Sequence, residues 1–284
     1  MGRGRDRRRP GRRHLARLTL LALPDPYDFA ISTERFRAFG VDLANVWHEG
    51  GLHRVVDGRE VRIESAPGGV EVAPYDEEIR LVVEKLLGLE FDLPPFYAWA
   101  AGDPVLGPIT VRLRGFRPPL APDPFETLVT SITAQQVSLF AAFAIRSRLI
   151  ERFGERAELA YAFPTRERLA AADEAELVAL GFSRRKAEYV VGLARSELDL
   201  EALAELDDDA VRARITSLRG LGPWTAEWYL ARHLARPRAW PVGDIALQRA
   251  VEVLYGVTVV EMGPRLEPFQ NLAAHYLLTG ARTP

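Results

Sequence analysis

The chain has 284 residues, 48% of them hydrophobic and 27% charged, with 20 Pro, 22 Gly and no Cys. At roughly 100–200 residues per domain this suggests about two domains, and the missing Cys excludes disulfides, iron–sulfur clusters and thiolate zinc sites. The formal net charge is −2, yet residues 1–17 carry eight Arg against Asp6, a net of +7 that leaves −9 for residues 18–284. Any anion-binding face of the body must therefore be local.

The basic start followed by Leu18 to Leu23 imitates a signal peptide, but the apolar run is short and Pro24-Asp25-Pro26 stands where a small-residue cleavage site would. Residues 1–18 read as a disordered basic arm, with a misassigned start codon as the rival. Leu52 to Val56 and Glu60 to Ile63 flank Asp57-Gly58, and Gly69 to Val72 follows Pro67-Gly68, which predicts an antiparallel three-strand meander. A helix capped by Asp76 follows, with Ile79, Val82, Val83, Leu86 and Leu87 at helical spacing and Gly88 as its stop. Residues 19–112 thus read as a small α+β domain. After the prolines at 118, 119, 122 and 124, strand signals almost vanish and helical periodicity runs through 125–153, 168–180, 184–197, 207–217, 223–235, 245–255 and 266–279, so residues 113–284 read as all-α. Thr127 to Ile145 is uncharged and long enough to span a bilayer, but Thr130, Ser131, Thr133, Gln135, Gln136 and Ser138 in its middle predict a buried helix pair instead. No repeat of fixed period is present.

The stretch with the most chemistry is Leu218-Arg219-Gly220-Leu221-Gly222-Pro223-Trp224-Thr225-Ala226. Gly220 and Gly222 allow a tight turn with positive φ, and Pro223 suits the first turn of a helix, where its missing N–H would be unpaired anyway. The remaining N–H groups of that helix start form a nest for a phosphate oxygen, which lets an acidic protein hold DNA without Lys. A bare Gly-x-Gly is equally an ordinary packing corner. A second element, Trp240-Pro241-Val242-Gly243-Asp244-Ile245, places Asp244 before the apolar run Ile245, Leu247, Val251. By itself Asp244 is a good N-cap, and a helix start favours its ionised form.

The string Leu-x-Gly-Leu-Gly-x-x-Thr-Ala, with Asp244 lying 22 residues beyond Gly222, resembles the helix-hairpin-helix DNA glycosylase superfamily. Within it the sequence is most similar to the 3-methyladenine DNA glycosylase II (AlkA-like) branch. Phe125 to Ser138 resembles the helix and loop of that family that enter the minor groove, and Gly181 to Tyr189 its following helix start. The resemblance covers residues 115–280, and Pro26-Tyr27-Asp28 resembles the opening of the small TATA-binding-protein-like domain carried by this branch. It implies a repair enzyme that rotates a damaged nucleotide out of double-stranded DNA, with Gln136 filling the vacancy, Gln135, Gly220, Gly222 and Thr225 contacting DNA, and Asp244 stabilising an oxocarbenium-like sugar. Trp224 and Trp228 share a helix face and match pocket-lining positions, where aromatic faces would hold a flat cationic base. Trp240 is expected to pack the loop, and Phe29 and Phe36 to add walls.

Bifunctional members place a Lys two positions after the second hairpin Gly. Trp224 stands there, so hydrolysis without a lyase step is expected. Where the branch brings a Trp against the flipped base, this chain has Leu278, which puts the range of lesions in question. Other expectations are no required cofactor, at most a monovalent cation on hairpin backbone carbonyls, no membrane, a monomer, and a bacterial cytoplasm with its nucleoid as the location. The alternatives are a glycosylase for another damaged base (8-oxoguanine, hypoxanthine or uracil), a non-catalytic helix-hairpin-helix DNA-binding protein, and an unrelated helical bundle. The carboxylate of Asp244 speaks against pure backbone binding, since it would repel phosphate.

Overall fold

A computed structural model describes residues 18–282, so the basic arm expected at the N-terminus lies, apart from Leu18, outside the described residues. Five strands form an antiparallel sheet in the order β1-β5-β4-β3-β2: β1 (Thr19–Ala22), β2 (Val46–His48), β3 (Gly51–Val56), β4 (Arg59–Ala66) and β5 (Gly69–Ala73). The middle three are the predicted meander, and Asp57, Gly58 and Gly68 take the positive φ its turns need. Register aligns Leu52, Ile63 and Val72 across β3, β4 and β5 in one apolar row. The edge strands β1 and β2 are only four and three residues long. That is too short for an alternating pattern to announce them.

Between β1 and β2 lie two single-turn helices, α1 (Phe29–Ser32) and α2 (Arg35–Ala38). Helix α3 (Glu77–Leu86) is the predicted one: the Asp76 carboxylate accepts the Ile79 N–H at 3.0 Å, and Ile79, Val83 and Leu86 pack on Val61, Ile63, Val70 and Val72. Gly88 ends it at φ +69°, where a Cβ would lie 2.3 Å from the Pro118 carbonyl oxygen.

The rest of the chain is helical: α4 (Leu93–Ala100), α5 (Leu106–Arg112), α6 (Pro124–Ala134), α7 (Leu139–Phe153), α8 (Arg166–Ala170), α9 (Glu174–Ala179), α10 (Arg184–Arg195), α11 (Asp208–Thr216), α12 (Pro223–Arg232), α13 (Ile245–Tyr255), α14 (Val259–Met262) and α15 (Gln270–Gly280). One exception interrupts the expected all-α half, a two-residue ladder between β6 (Glu155–Arg156) and β7 (Tyr161–Ala162). The uncharged stretch is the expected helix pair, α6 and α7, and no helix among the described residues is long and apolar enough to cross a membrane.

Three apolar clusters organise the molecule. The sheet and α3 make one. Helices α6 to α12 make a second around Leu128, Leu149, Val190, Ile215 and Tyr229. The third joins Phe96, Leu106, Ile109 and Leu113 to Leu247, Leu272 and Tyr276. The expected domain boundary at 112/113 thus falls inside packed structure, because α4 and α5 bury their apolar faces against the C-terminal helices rather than the sheet. Leu278 packs against both helical clusters, and a cavity opens beside it.

Candidate active site

The cavity, of about 1250 Å³, is walled by α2, α6, α7 and α15 and reaches the hairpin before α12 and the loop before α13. Asp244 sits on its wall as the N-cap of α13. Its Oδ1 accepts the N–H groups of Ala246 and Leu247, each at 3.0 Å, while Oδ2 accepts the indole N–H of Trp228 at 2.9 Å and of Trp224 at 3.2 Å. Four donors therefore fix the carboxylate, and the helix start adds favourable field. Capping and presentation to the cavity are one arrangement, because the residue that closes α13 faces the start of α12.

The two tryptophans behave differently from a pair of stacking walls. Trp228 is only 2% exposed; the Arg232 guanidinium lies 3.6 Å from its ring centroid, and His275 meets it edge-on at 5.7 Å. Its face is occupied and its edge serves Asp244. Trp224 is half-buried and lines the cavity, as do Leu278 and the small exposed part of Trp228. Phe36 lines it too, whereas Phe29 packs on Trp47 with centroids 5.9 Å apart and is no part of the wall. Trp240 packs the loop as expected, donating to the Val259 carbonyl at 2.9 Å.

The hairpin corrects one expectation. Gly220 has φ +87°, and a Cβ there would lie 2.2 Å from the Tyr189 ring, but Gly222 is extended at φ −106°, and a Cβ there would meet nothing within 4 Å. Only the first glycine is required by the turn itself. The N–H groups of both have no acceptor among the described residues and stay free for an anion. Gln135 donates to the Gly220 carbonyl at 2.9 Å, tying the 135–138 turn to the hairpin. Gln136 stands exposed at φ +56°. Thr225 is 1% exposed, its N–H is spent on the Gly222 carbonyl at 3.0 Å, and it borders the cavity. Lys186 donates to the Thr133 carbonyl at 2.9 Å and caps α6, leaving Arg184 and Arg185 as the exposed cations of that cluster.

Sequence reading missed the cations of the cavity. Arg35, Arg232, Arg282 and the ring of His275 all line it. Burial, reinforced by the charges of Arg35 and Arg282, lowers the Arg232 basicity well below its usual value, with Asp244 opposing. Burial lowers Arg35 to about 10, and burial with the charge of Arg232 holds His275 neutral. One signal was available: Trp224, Trp228 and Arg232 recur every four residues along one face of α12. The other three come from distant segments. Val137, Leu139 and Phe140, 39%, 43% and 64% exposed beside Gln136, form an apolar ridge that sequence reading also missed.

Residues 129–262 match the family model described as HhH-GPD superfamily base excision DNA repair protein. A Bacillus subtilis DNA-3-methyladenine glycosylase is 30% identical over 216 residues, 71% of each chain. Escherichia coli DNA-3-methyladenine glycosylase 2 is 33% identical over 147 residues, half of each chain. The solved 3-methyladenine DNA glycosylase of Archaeoglobus fulgidus superimposes with a TM-score of 0.84 at 28% identity, over 93% of this chain and 98% of that one. The chain belongs to the HhH-GPD superfamily of base excision DNA repair glycosylases, in its 3-methyladenine glycosylase branch.

Proposed function

We propose that the protein excises alkylated purines, of the 3-methyladenine and 7-methylguanine type, from double-stranded DNA by hydrolysing the N-glycosidic bond, as a monomer and without a lyase step. The observation that carries this reading is Asp244, a carboxylate fixed by four N–H donors at the wall of a cavity of about 1250 Å³. The relatives named DNA-3-methyladenine glycosylase supply the substrate class, and Trp224 in place of a Schiff-base Lys supports hydrolysis alone. The sheet with α3 is read as the TATA-binding-protein-like unit of this branch.

The free N–H groups of Gly220 and Gly222 take a backbone phosphate, and Gln136 with its apolar neighbours enters the duplex. The flipped nucleotide then enters the cavity, where the extrusion cost is least for poorly paired lesions. Positive charge builds at C1′ as the bond to the base breaks, and Asp244 stabilises it. A cationic alkylated base leaves as a neutral molecule and needs no proton. A monovalent cation at the hairpin would share the Leu218 and Gly220 carbonyls with the Leu221 N–H and Gln135, which already donate to them. No step above depends on it. The test is Asp244→Asn, which is expected to bind lesion-containing duplex normally and to lose base release about 10²–10³-fold. Release at the wild-type rate would remove Asp244 from the chemistry.

A further inference from the structure

Arg232, in the last turn of α12, is half-buried, makes no hydrogen bond or ion pair among the described residues, and has a buried Nε without an acceptor. Leaving such a donor unpaired away from water is costly. The carboxylates that share the cavity do not relieve it. Glu126 and Asp42 are held by Arg146, Glu126 also by Arg54, and Glu34 is exposed. Asp244 attracts the guanidinium without touching it, its own oxygens being engaged by four N–H groups. What Arg232 does touch is Trp228, with its guanidinium carbon 3.6 Å from the ring centroid. The same buried indole meets His275 edge-on at 5.7 Å and donates to Asp244 Oδ2 at 2.9 Å, the shorter of the two indole bonds there. Trp224, Trp228 and Arg232 therefore form one stripe along α12, two donors to the carboxylate and a cation stacked on the nearer donor.

We propose that Arg232 is a positioning residue for Asp244, acting through the indole of Trp228. This rests on the glycosylase reading above, which makes Asp244 the charge that meets C1′. Two physical effects run along this path. The guanidinium covers one face of the ring while His275 abuts it, so the indole resists rotation and its N–H stays aimed at Oδ2. A cation over the π-face also draws electron density from the ring, which makes the indole N–H a stronger donor in a site away from water. Oδ1 is fixed by the backbone of α13 whatever α12 does, whereas Oδ2 depends on the two indoles. The plane of the carboxylate is therefore set from α12. A carboxylate kept in one orientation holds its distance to C1′ as the sugar becomes cationic, which speeds the chemical step and leaves DNA binding as it was.

The experiment follows single-turnover release of 7-methylguanine from duplex DNA by the wild-type chain, Arg232→Met, Arg232→Lys, Trp228→Phe and the Arg232→Met/Trp228→Phe pair. Affinity for abasic-site duplex is measured on each. The Trp228 indole N–H proton, assigned by its loss in Trp228→Phe, is followed by NMR without DNA. Arg232→Met is expected to slow release about tenfold, to leave DNA affinity unchanged, and to move the indole proton upfield as its hydrogen bond weakens. Arg232→Lys, which keeps the cation, is expected to restore part of both. In the Trp228→Phe background Arg232→Met is expected to cost nothing further, because the path is already cut. An unchanged rate overturns the proposal. So does a loss of DNA affinity in place of rate, which would make Arg232 a substrate contact, or a full further loss in the Trp228→Phe background, which would give it another route. Should Arg232→Met not fold, the indole proton of Arg232→Lys decides: an upfield shift supports the path and an unmoved resonance overturns it. A wild-type chain that frees 7-methylguanine at a rate Arg232→Met does not alter overturns this proposal alone. A wild-type chain that frees no base overturns the glycosylase reading beneath it.

Discussion

Asp244 serves two purposes with one side chain. Its Oδ1 closes the first turn of α13 and its Oδ2 is held by two indoles, so the capping that makes it legible as a helix start also orients it toward the cavity. The hairpin glycines separate cleanly at this scale. Gly220→Ala forces a methyl against the Tyr189 ring at a positive φ and is expected to cost roughly 2 kcal/mol or more of stability. Gly222→Ala has open space and ordinary backbone, so it is expected to change stability by less than about 0.5 kcal/mol while weakening binding to damaged and undamaged duplex alike. Denaturant unfolding and salt-matched DNA titrations distinguish the two; equal stability losses would mean that the turn does not govern the difference. Gly-x-Gly, Gln135-Gln136 and Asp244 were readable because each is fixed by local backbone needs or by motif order. Arg35, Arg232, Arg282 and His275 were not, because three segments far apart in sequence bring them together.

At the scale of elements, two polar clamps hold the sheet against the helices. In the first, Arg54 of β3 donates to Glu126 of α6 at 2.6 Å, and Arg146 of α7 joins Glu126 to Asp42. Burial alone would raise the Glu126 carboxyl, but the charges and hydrogen bonds of Arg54 and Arg146 hold it below the usual range. In the second, Glu60 of β4 accepts three consecutive N–H groups, Glu158 to Ala160, at 2.7–2.9 Å, and so docks the β6–β7 turn. Glu126→Gln leaves Arg54 and Arg146 without their shared counter-charge and is expected to cost about 3–5 kcal/mol in a urea titration. A loss below about 1 kcal/mol would show that the clamp is solvated. The long helices were legible because a 3.6-residue period over ten or more positions is a strong signal, as α3, α10 and α13 show. β1, β2, α1, α2 and the β6–β7 ladder, none longer than four residues, have no room for a period and exist through tertiary contacts, so sequence pattern could not find them.

For the whole molecule, the cavity that holds Asp244 lies where the sheet-bearing segment, the α6–α12 cluster and the C-terminal helices meet, so its shape depends on all three cores. Acid is expected to loosen that assembly. His233, with Nδ1 2.8 Å from the Ala121 carbonyl, is lowered to about 4 by burial and by the charge of Lys85. An unfolded His takes up a proton near pH 6.5, so the unfolded chain gains protons that the folded chain refuses. Stability present above pH 6.5 is therefore lost as pH falls toward 4, about 3 kcal/mol from this group. His275, also held neutral, adds to the same slope. Melting temperature against pH checks this: His233→Gln is expected to flatten the decline, and an unchanged slope would assign it to other groups.

The measurement that bears most directly on the glycosylase reading is base release from methylated duplex DNA, with the freed bases separated by chromatography and strand nicking followed before and after alkali. The expected result is release of 3-methyladenine or 7-methylguanine, nicks only after alkali, and loss of both signals in Asp244→Asn. A chain that binds the duplex and frees no base, or that nicks it without alkali, would contradict that reading.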